Sequence, residues 1–354
     1  MRIELLETHD PAWSAFLAEA RHDFYHLPGY VALEAAREAG EGVALHVAEG
    51  DRAVLLPLIL RSIPGDERRD AVSPYGYPGP LVRGTDDRSF VEDALGEALP
   101  ALREAGIVSI FVRLHPLLDD PPPGRPGTLV YHGDTIALDA TLSDEDAWSE
   151  MRGDHRNHIN RAIRLDYRVE IGENERDLPE FERLYAATMQ RVAATEFYRF
   201  DAAYFEGLRE ALGPRMHLVA ARTGEIVAGA ALIVETGGIV EYHLAASDSR
   251  YMRDGANKLM VHVVRSWARE RGDRYVHMGG GVGAAEDSLF YFKIGFSPLR
   301  FPYHTLRIVA DEPAYEQLVR AADPSADPAD RGAHFPAYRS VPAASGQEPG
   351  ATDR

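Results

Sequence analysis

The chain has 354 residues, 45% hydrophobic and 27% charged, with a formal net charge of -18 and no cysteine. This is the composition of a globular protein, long enough for two ordinary domains or one large one. It excludes disulfides, zinc–thiolate centres, iron–sulfur clusters and a cysteine nucleophile. The acidity argues against DNA or a broad RNA surface, though not against a local basic patch that touches the end of a nucleic acid. The opening "MRIELLETHDPAWSAF" carries charges where a signal peptide needs an apolar core. No apolar run approaches the roughly 20 residues of a membrane helix. The expectation is a soluble, cytoplasmic protein with no membrane span.

In chain order, "GVALHVAEG-DR-AVLLPLILR" reads as strand, tight Gly50-Asp51 turn, strand. "SFVEDALGEALPALREAG" reads as a helix stopped by Gly106, and "IVSIFVRL" as the strand after it. Ser143 with Asp146 forms a capping box that opens a helix. A second helical stretch, about residues 152–165, carries Arg152, Arg156, Arg161 and Arg164. "DLPEFERLYAATMQRVA" and "DAAYFEGLREALG" read as two further amphipathic helices. "HLVAARTGEIVAGAALIVETGGIVEYHLAAS" reads as a three-strand meander with turns at Thr223-Gly224 and Gly237-Gly238. A helix follows with Leu259, Met260, Val263, Val264 and Trp267 on one face; it stops at Gly272 before the strand "RYVHM". The last strand is "YHTLRIVA". The junctions "ALREAG-IVSIFV" and "WARERG-DRYVHM" look like two copies of one unit, so an internal duplication of an α+β unit is expected. The final "AASGQEPGATDR" is small and polar, as in a disordered tail.

Several motifs bear on chemistry. "HMGGGVGAAED" follows a strand, but a dinucleotide fingerprint would need a third glycine at Glu286. The glycines instead suit a close approach of backbone or ligand. His155 and His158 in "HRNHINR" lack further metal ligands and read as solvated histidines on a basic helix. The arginines around them read equally as a phosphate-binding face or a solvated one. Arg253 and Lys258 flank "DGAN", and both could contact phosphate. Tyr75 and Tyr77 lie in the Pro/Gly-framed loop "VSPYGYPGPLV", which reads as plain turn chemistry or as a substrate wall. Lys293 stands alone among aromatics in "DSLFYFKIGF".

The order of these pieces resembles the FemABX family of aminoacyl-tRNA-dependent peptidyltransferases and related FemAB-like members of the GNAT superfamily. The likeness runs over roughly residues 20–310. It rests on "SPYGYPGPLV", "RNHINRAIR", "HLVAARTGEIVAGAALIV", "EYHLAASDSRYMRDGANKLM" and, most specifically, "GGG…DSLFYFKIGFSP". The resemblance implies an α/β (α+β) fold of two tandem GNAT-like acyltransferase domains. The first would be residues 1–140 plus about 303–325, the second 141–302, with 326–354 a flexible tail. It implies Lys293 and Phe292 as catalytic residues, Arg191 in "TMQRVAA" as acceptor-binding, and Tyr242 in "VEYHLAAS" as a tyrosine of the reaction cleft. His26, Pro28 and Tyr30 match in kind a segment that the family follows with a lysine. Here Leu33 and Glu34 fill that place, which argues against a UDP-muramyl acceptor. Tyr30, Tyr75 and Tyr77 are then substrate-binding, and Arg152, Arg156, Arg253 and Lys258 bind tRNA phosphates.

The implied activity moves an aminoacyl group from charged tRNA, as co-substrate, to the amine of a small peptide, secondary metabolite or cell-wall precursor. No metal or bound cofactor is implied. A fixed ammonium beside the ester oxygen would stabilise the tetrahedral oxyanion more than the neutral ester. Two other readings remain open at this point. One is an N-acyltransferase using acetyl-CoA on the same fold, although only Gly255 and Ala256 remain of the expected pyrophosphate loop. The other is a catalytically silent binding protein.

Overall fold

The computed structural model describes residues 1–87, 89–118, 126–172, 177–332 and 334–340. The chain divides into two compact units, Met1–Gly133 with Pro302–Arg354, and Asp134–Phe301. The first unit contains β1 (Arg2–Glu7), α1 (Pro11–Glu19), α2 (Pro28–Arg37), β2 (Glu41–Glu49), β3 (Arg52–Ser62), β4 (Arg69–Val72), β5 (Leu81–Arg83), α3 (Ser89–Glu104) and β6 (Ile107–Arg113). Along β7 (Thr128–Asp139) the chain passes into the second unit. There follow α4 (Asp144–Glu150), α5 (Gly153–Arg164), β8 (Arg168–Gly172), α6 (Leu178–Arg191), α7 (Ala202–Leu212), β9 (Met216–Thr223) and β10 (Ile226–Thr236). The unit closes with β11 (Ile239–Ser247), α8 (Ala256–Arg271), β12 (Tyr275–Gly279) and α9 (Ser288–Lys293). Most of β13 (Arg300–Val309), then α10 (Glu312–Ala322), return to the first unit.

The first unit's strands lie in the order β1-β2-β3-β4-β6-β13, with β5 on β3. Among the described residues of this unit only β4 and β6 run parallel, and α3 lies in the connection between them. The second unit's order is β7-β12-β11-β10-β9-β8, and only β11 and β12 run parallel, joined by α8. A parallel pair needs such a crossover, whereas antiparallel neighbours can turn back directly. The two junctions that look alike in the sequence are therefore the two crossover exits. Each is a helix stopped by a glycine, Gly106 or Gly272, that hands the chain to a parallel strand.

Packing explains why these helices form. In α8 the buried positions Leu259, Met260, Val264 and Ala268 recur at helical spacing and join one core cluster with Ile159 and Ala162 of α5. Arg265 lies within that buried stripe. Its guanidinium bonds Asp144 at 2.6 Å and reaches the carbonyls of Asp139, Leu142 and Ser143, fastening α8 to the start of α4. In the first unit, Phe90, Ala94, Leu95, Ala98 and Leu102 of α3 pack on Val54, Leu56 and Leu58 of β3. Among the described residues no helix is long and apolar enough to cross a membrane.

The expected flexible tail needs correcting. Residues up to 340 include ordered contacts of the first unit, and 341–354 lie outside the described residues. Phe335 is buried and stacks on Tyr315 of α10. Tyr338 bonds Ser109 at 2.8 Å and Asp70 at 3.2 Å, and Arg339 engages Asp70 and the Ser62 carbonyl. The buried carboxylate of Asp70 needs these donors. The proline- and aspartate-rich sequence before them conceals the anchor.

Asp273, just past α8, is buried with one carboxylate oxygen lacking a hydrogen-bond partner among the described residues. Burial, with Glu235 nearby, raises its pKa to about 6. The folded state then holds a proton that the unfolded state releases near pH 4, so stability falls as pH rises from about 4 to 6. Asp273→Asn should gain on wild type across that window by on the order of 1–3 kcal/mol, read from denaturation midpoints at pH 4.5 and 7.5.

Candidate active site

In the second unit, β11 and β12 pair at Ile239–Tyr275, Val240–Val276 and Glu241–His277, and their pairing ends there. Just beyond, each strand has a shift in its other pairing, at His243 against β10 and at Met278 against β7. Bulges of this kind bend a strand and re-aim its side chains. At the last paired step, buried His277 donates through Nδ1–H to both oxygens of buried Glu241, each at 2.8 Å. Tyr242 is the next residue of β11, and the glycine run begins two residues after His277.

Lys293 is the last residue of the six-residue α9. Its ammonium donates to the Gly280 carbonyl at 2.5 Å. Burial lowers its pKa to about 8, opposed by the carboxylates of Asp287 and Glu241. Asp287 caps α9 by accepting the Phe290 N–H at 2.9 Å, and it accepts the Val282 N–H at 3.1 Å. A Cβ on Gly281 would lie 2.0 Å from the Ala285 carbonyl oxygen, so this glycine serves a tight turn of the chain on itself. Phe292, beside Lys293, carries the Lys258 ammonium 5.4 Å from its ring centroid.

The other residues singled out from the sequence divide into several groups. Tyr242 is half-buried against the core, and burial holds its hydroxyl above the usual range, so it is a neutral group. Arg191 ends α6 and donates to the Ser247 carbonyl at 3.1 Å, at the far end of Tyr242's strand. Arg152 is exposed, pairs with Asp154 at 3.1 Å, and donates its backbone N–H to the Gly295 carbonyl. Arg253 is exposed on the turn before α8. Arg156 bonds the carbonyls of Trp148, Ser149 and Met151 and so caps the end of α4. That contact gives it a structural task which the sequence did not suggest.

In the first unit, Tyr25, Tyr77, His115 and Tyr303 contact one another edge to face or tilted, and Arg37 lies 6.0 Å from the Tyr75 ring centroid. Tyr30 needs correcting as a substrate contact. It is fully buried, and its hydroxyl donates to the Tyr75 carbonyl at 2.9 Å. His26, also buried, donates to the Gly79 carbonyl at 3.1 Å. Both residues hold the tyrosine loop in shape. Glu34, in the place of the family's lysine, is buried and pairs with Arg37 at 2.7 Å.

His155 is a second correction: it is buried, not solvated. It falls in one helical stripe with Ile159 and Ala162, a spacing that would have shown the burial. Glu241, His277 and Asp287 were also missed; the capping position of Asp287 three residues before Phe290 was the one readable signal.

The start of α8 tests for CoA. Gly255 lies so close to α5 that a Cβ would sit 2.3 Å from the His158 carbonyl oxygen. The adjacent Asp254 carboxylate is held by the Tyr167 hydroxyl at 3.0 Å and Arg161 at 3.4 Å. Asn257 accepts the Lys258 N–H at 2.9 Å through its own side chain. A carboxylate at the mouth and an amide already engaged do not fit an anionic diphosphate.

Residues 149–291 match the family model for an acetyltransferase (GNAT) domain. No curated protein matches the chain in sequence. Among solved structures, FemX is similar over 90% of this chain and 99% of its own, with 15% identity and a TM-score of 0.65. L-PGS from Bacillus licheniformis is similar over 86% of this chain and 93% of its own, with 14% identity and a TM-score of 0.56. A conserved protein of unknown function from Bacteroides thetaiotaomicron is similar over 87% and 100%, with 13% identity and a TM-score of 0.57. The chain thus has a FemX-like fold, mixed α/β, and the match to the GNAT domain falls within its second unit. Acetyl-CoA at millimolar concentration should leave the melting temperature unchanged; a dose-dependent rise would show that the α8 start accepts the diphosphate after all.

Proposed function

We propose that the protein is an aminoacyltransferase that forms an amide bond, taking an aminoacyl group from the 3′ end of a charged tRNA. The acceptor is the amine of a small peptide, secondary metabolite or cell-wall precursor. The observation that carries this reading is Lys293, a half-buried cation whose ammonium sits on a carbonyl of the glycine run, where two parallel strands have parted. The FemX-like fold and the poor fit of the α8 start to CoA support tRNA over an acyl-CoA as donor.

The acceptor nitrogen attacks the ester carbonyl carbon, and the carbonyl electron pair moves to oxygen. The intermediate collapses by breaking the bond to the ribose 3′ oxygen. That oxygen gains a proton as the nitrogen loses one. An ammonium has three donors. The Gly280 carbonyl orients Lys293 through one, and the others serve the developing oxyanion, whose charge grows toward the transition state. Tyr242 supplies a neutral hydroxyl, and Arg191 meets an anionic group of the acceptor. Arg152, Arg253 and Lys258 meet phosphates of the tRNA end, a contact small enough for a chain of charge -18.

Lys293→Met should keep the melting temperature within a few degrees and lower single-turnover transfer by about 100- to 1,000-fold. A folded variant within a few-fold of wild type would end this reading. The active form is the ammonium, so its contribution persists below about pH 8 and is lost above it. Lys293→Arg, charged throughout, should flatten that falling limb. A wild-type rate limited by Lys293 that instead rises through pH 8 would make it a general base.

A further inference from the structure

A helix of six residues cannot hold itself, because nucleation takes a full turn before propagation repays it. Yet α9 presents Lys293 from its final position. Its first turn is fixed by Asp287. Its last turn has carbonyls that no helical N–H can reach, and one of them, that of Phe292, accepts a hydrogen bond from His155 Nε2–H at 2.9 Å. The His155 ring meets Phe296 edge-on at 4.6 Å and lies 5.8 Å from Phe292. Gly295 passes directly over the ring, where a Cβ would be 2.3 Å from Nε2. The neighbouring Arg152 N–H holds the Gly295 carbonyl at 2.9 Å. The start of α5 therefore grips the chain on both sides of Lys293, at the Phe292 and Gly295 carbonyls.

We infer that His155 is a positioning residue for Lys293, fixing the end of α9 through the Phe292 carbonyl so that the ammonium stays against the Gly280 carbonyl. This rests on the reading of Lys293 as the functional cation, but its placement can be measured apart from any activity. Burial lowers the pKa of His155, and Lys258 nearby lowers it further. Nε2 carries a proton in either charge state of the ring, because the Phe292 carbonyl requires a donor there. The charged groups around it are Asp154, whose Oδ2 is 3.3 Å from Nδ1, Arg152, and Lys258 from α8.

The test is competitive acetylation of the full chain by limiting acetic anhydride across pH, with the Lys293 peptide read by mass spectrometry. Wild-type Lys293 should titrate near 8. His155→Phe keeps a ring and deletes the donor; it should move that titration by about one unit or more toward the ordinary lysine value near 10.4. His155→Gln, whose amide can donate to the same carbonyl, should stay near wild type. In single-turnover transfer, His155→Phe should lower the rate by about 10- to 100-fold, as a small misplacement does. The double variant with Lys293→Met should be no slower than Lys293→Met alone, because His155 acts through the lysine. A folded His155→Phe protein with the wild-type labelling profile overturns the inference. If His155→Phe does not fold, His155→Leu replaces it; if neither folds, His155 supports the whole unit and the inference fails. A shifted titration together with transfer insensitive to Lys293→Met keeps the placement and removes the aminoacyltransfer reading instead.

Discussion

The end of pairing between β11 and β12 is the constraint from which the site follows. Two parallel strands joined by a helix must part somewhere, and here they part after Glu241 and His277. Past that step neither strand can satisfy the other's backbone, and buried carbonyls need donors from elsewhere. Lys293 supplies one to Gly280 beyond the end of β12, and Arg191 supplies one to Ser247 at the end of β11. Two of the cations singled out from the sequence thus stand at the ends of the same two strands. Their places are set by backbone groups that the sheet leaves unserved.

Electrostatics at this place differs from that of the chain as a whole. The chain as a whole has 56 acids against 38 lysines and arginines, and at its surface several acids pair with arginines three residues away. Around Lys293 the acids are fewer and better tied. Glu241 is bound to His277, and Asp287 is committed to two backbone N–H groups. Each steadies the ammonium from a distance without closing a direct ion pair that would neutralise it. Burial and these two carboxylates together leave a cation that is easily perturbed, which is what a group must be to respond to charge developing beside it.

The sequence makes the crossover helices legible because their apolar positions recur at helical spacing and a glycine ends each one. Lys293 stands out for a different reason: it is a lone lysine between aromatics after a glycine run, and its ammonium meets the Gly280 carbonyl of that run. Tyr30 and His155 misled in opposite directions. A tyrosine near a proline-rich loop looks like a ligand contact, yet its hydroxyl serves a carbonyl of that loop. A histidine among arginines looks solvated, yet the helix turns that one position inward while its neighbours face out. The inward turn of His155 was readable in its spacing to Ile159 and Ala162, but the carbonyl that each ring group meets depends on nearness in space, which spacing along the chain does not encode. The anchor at Phe335, Tyr338 and Arg339 was hidden likewise, since its partners Asp70 and Ser109 are more than 200 residues earlier.

The return of β13 to β6 also sets an order of events during synthesis. Residues 305–309 pair with 109–113, and the second unit lies between them in the chain. A ribosome therefore releases all of the inserted unit before the strand that covers β6. Until then Ile107–Arg113, an almost wholly apolar strand, has an open edge. Unpaired edges of that kind invite pairing with other chains. The unit that begins the chain is thus the last to close, and the nascent protein is most vulnerable to misassociation while its inserted unit is being made.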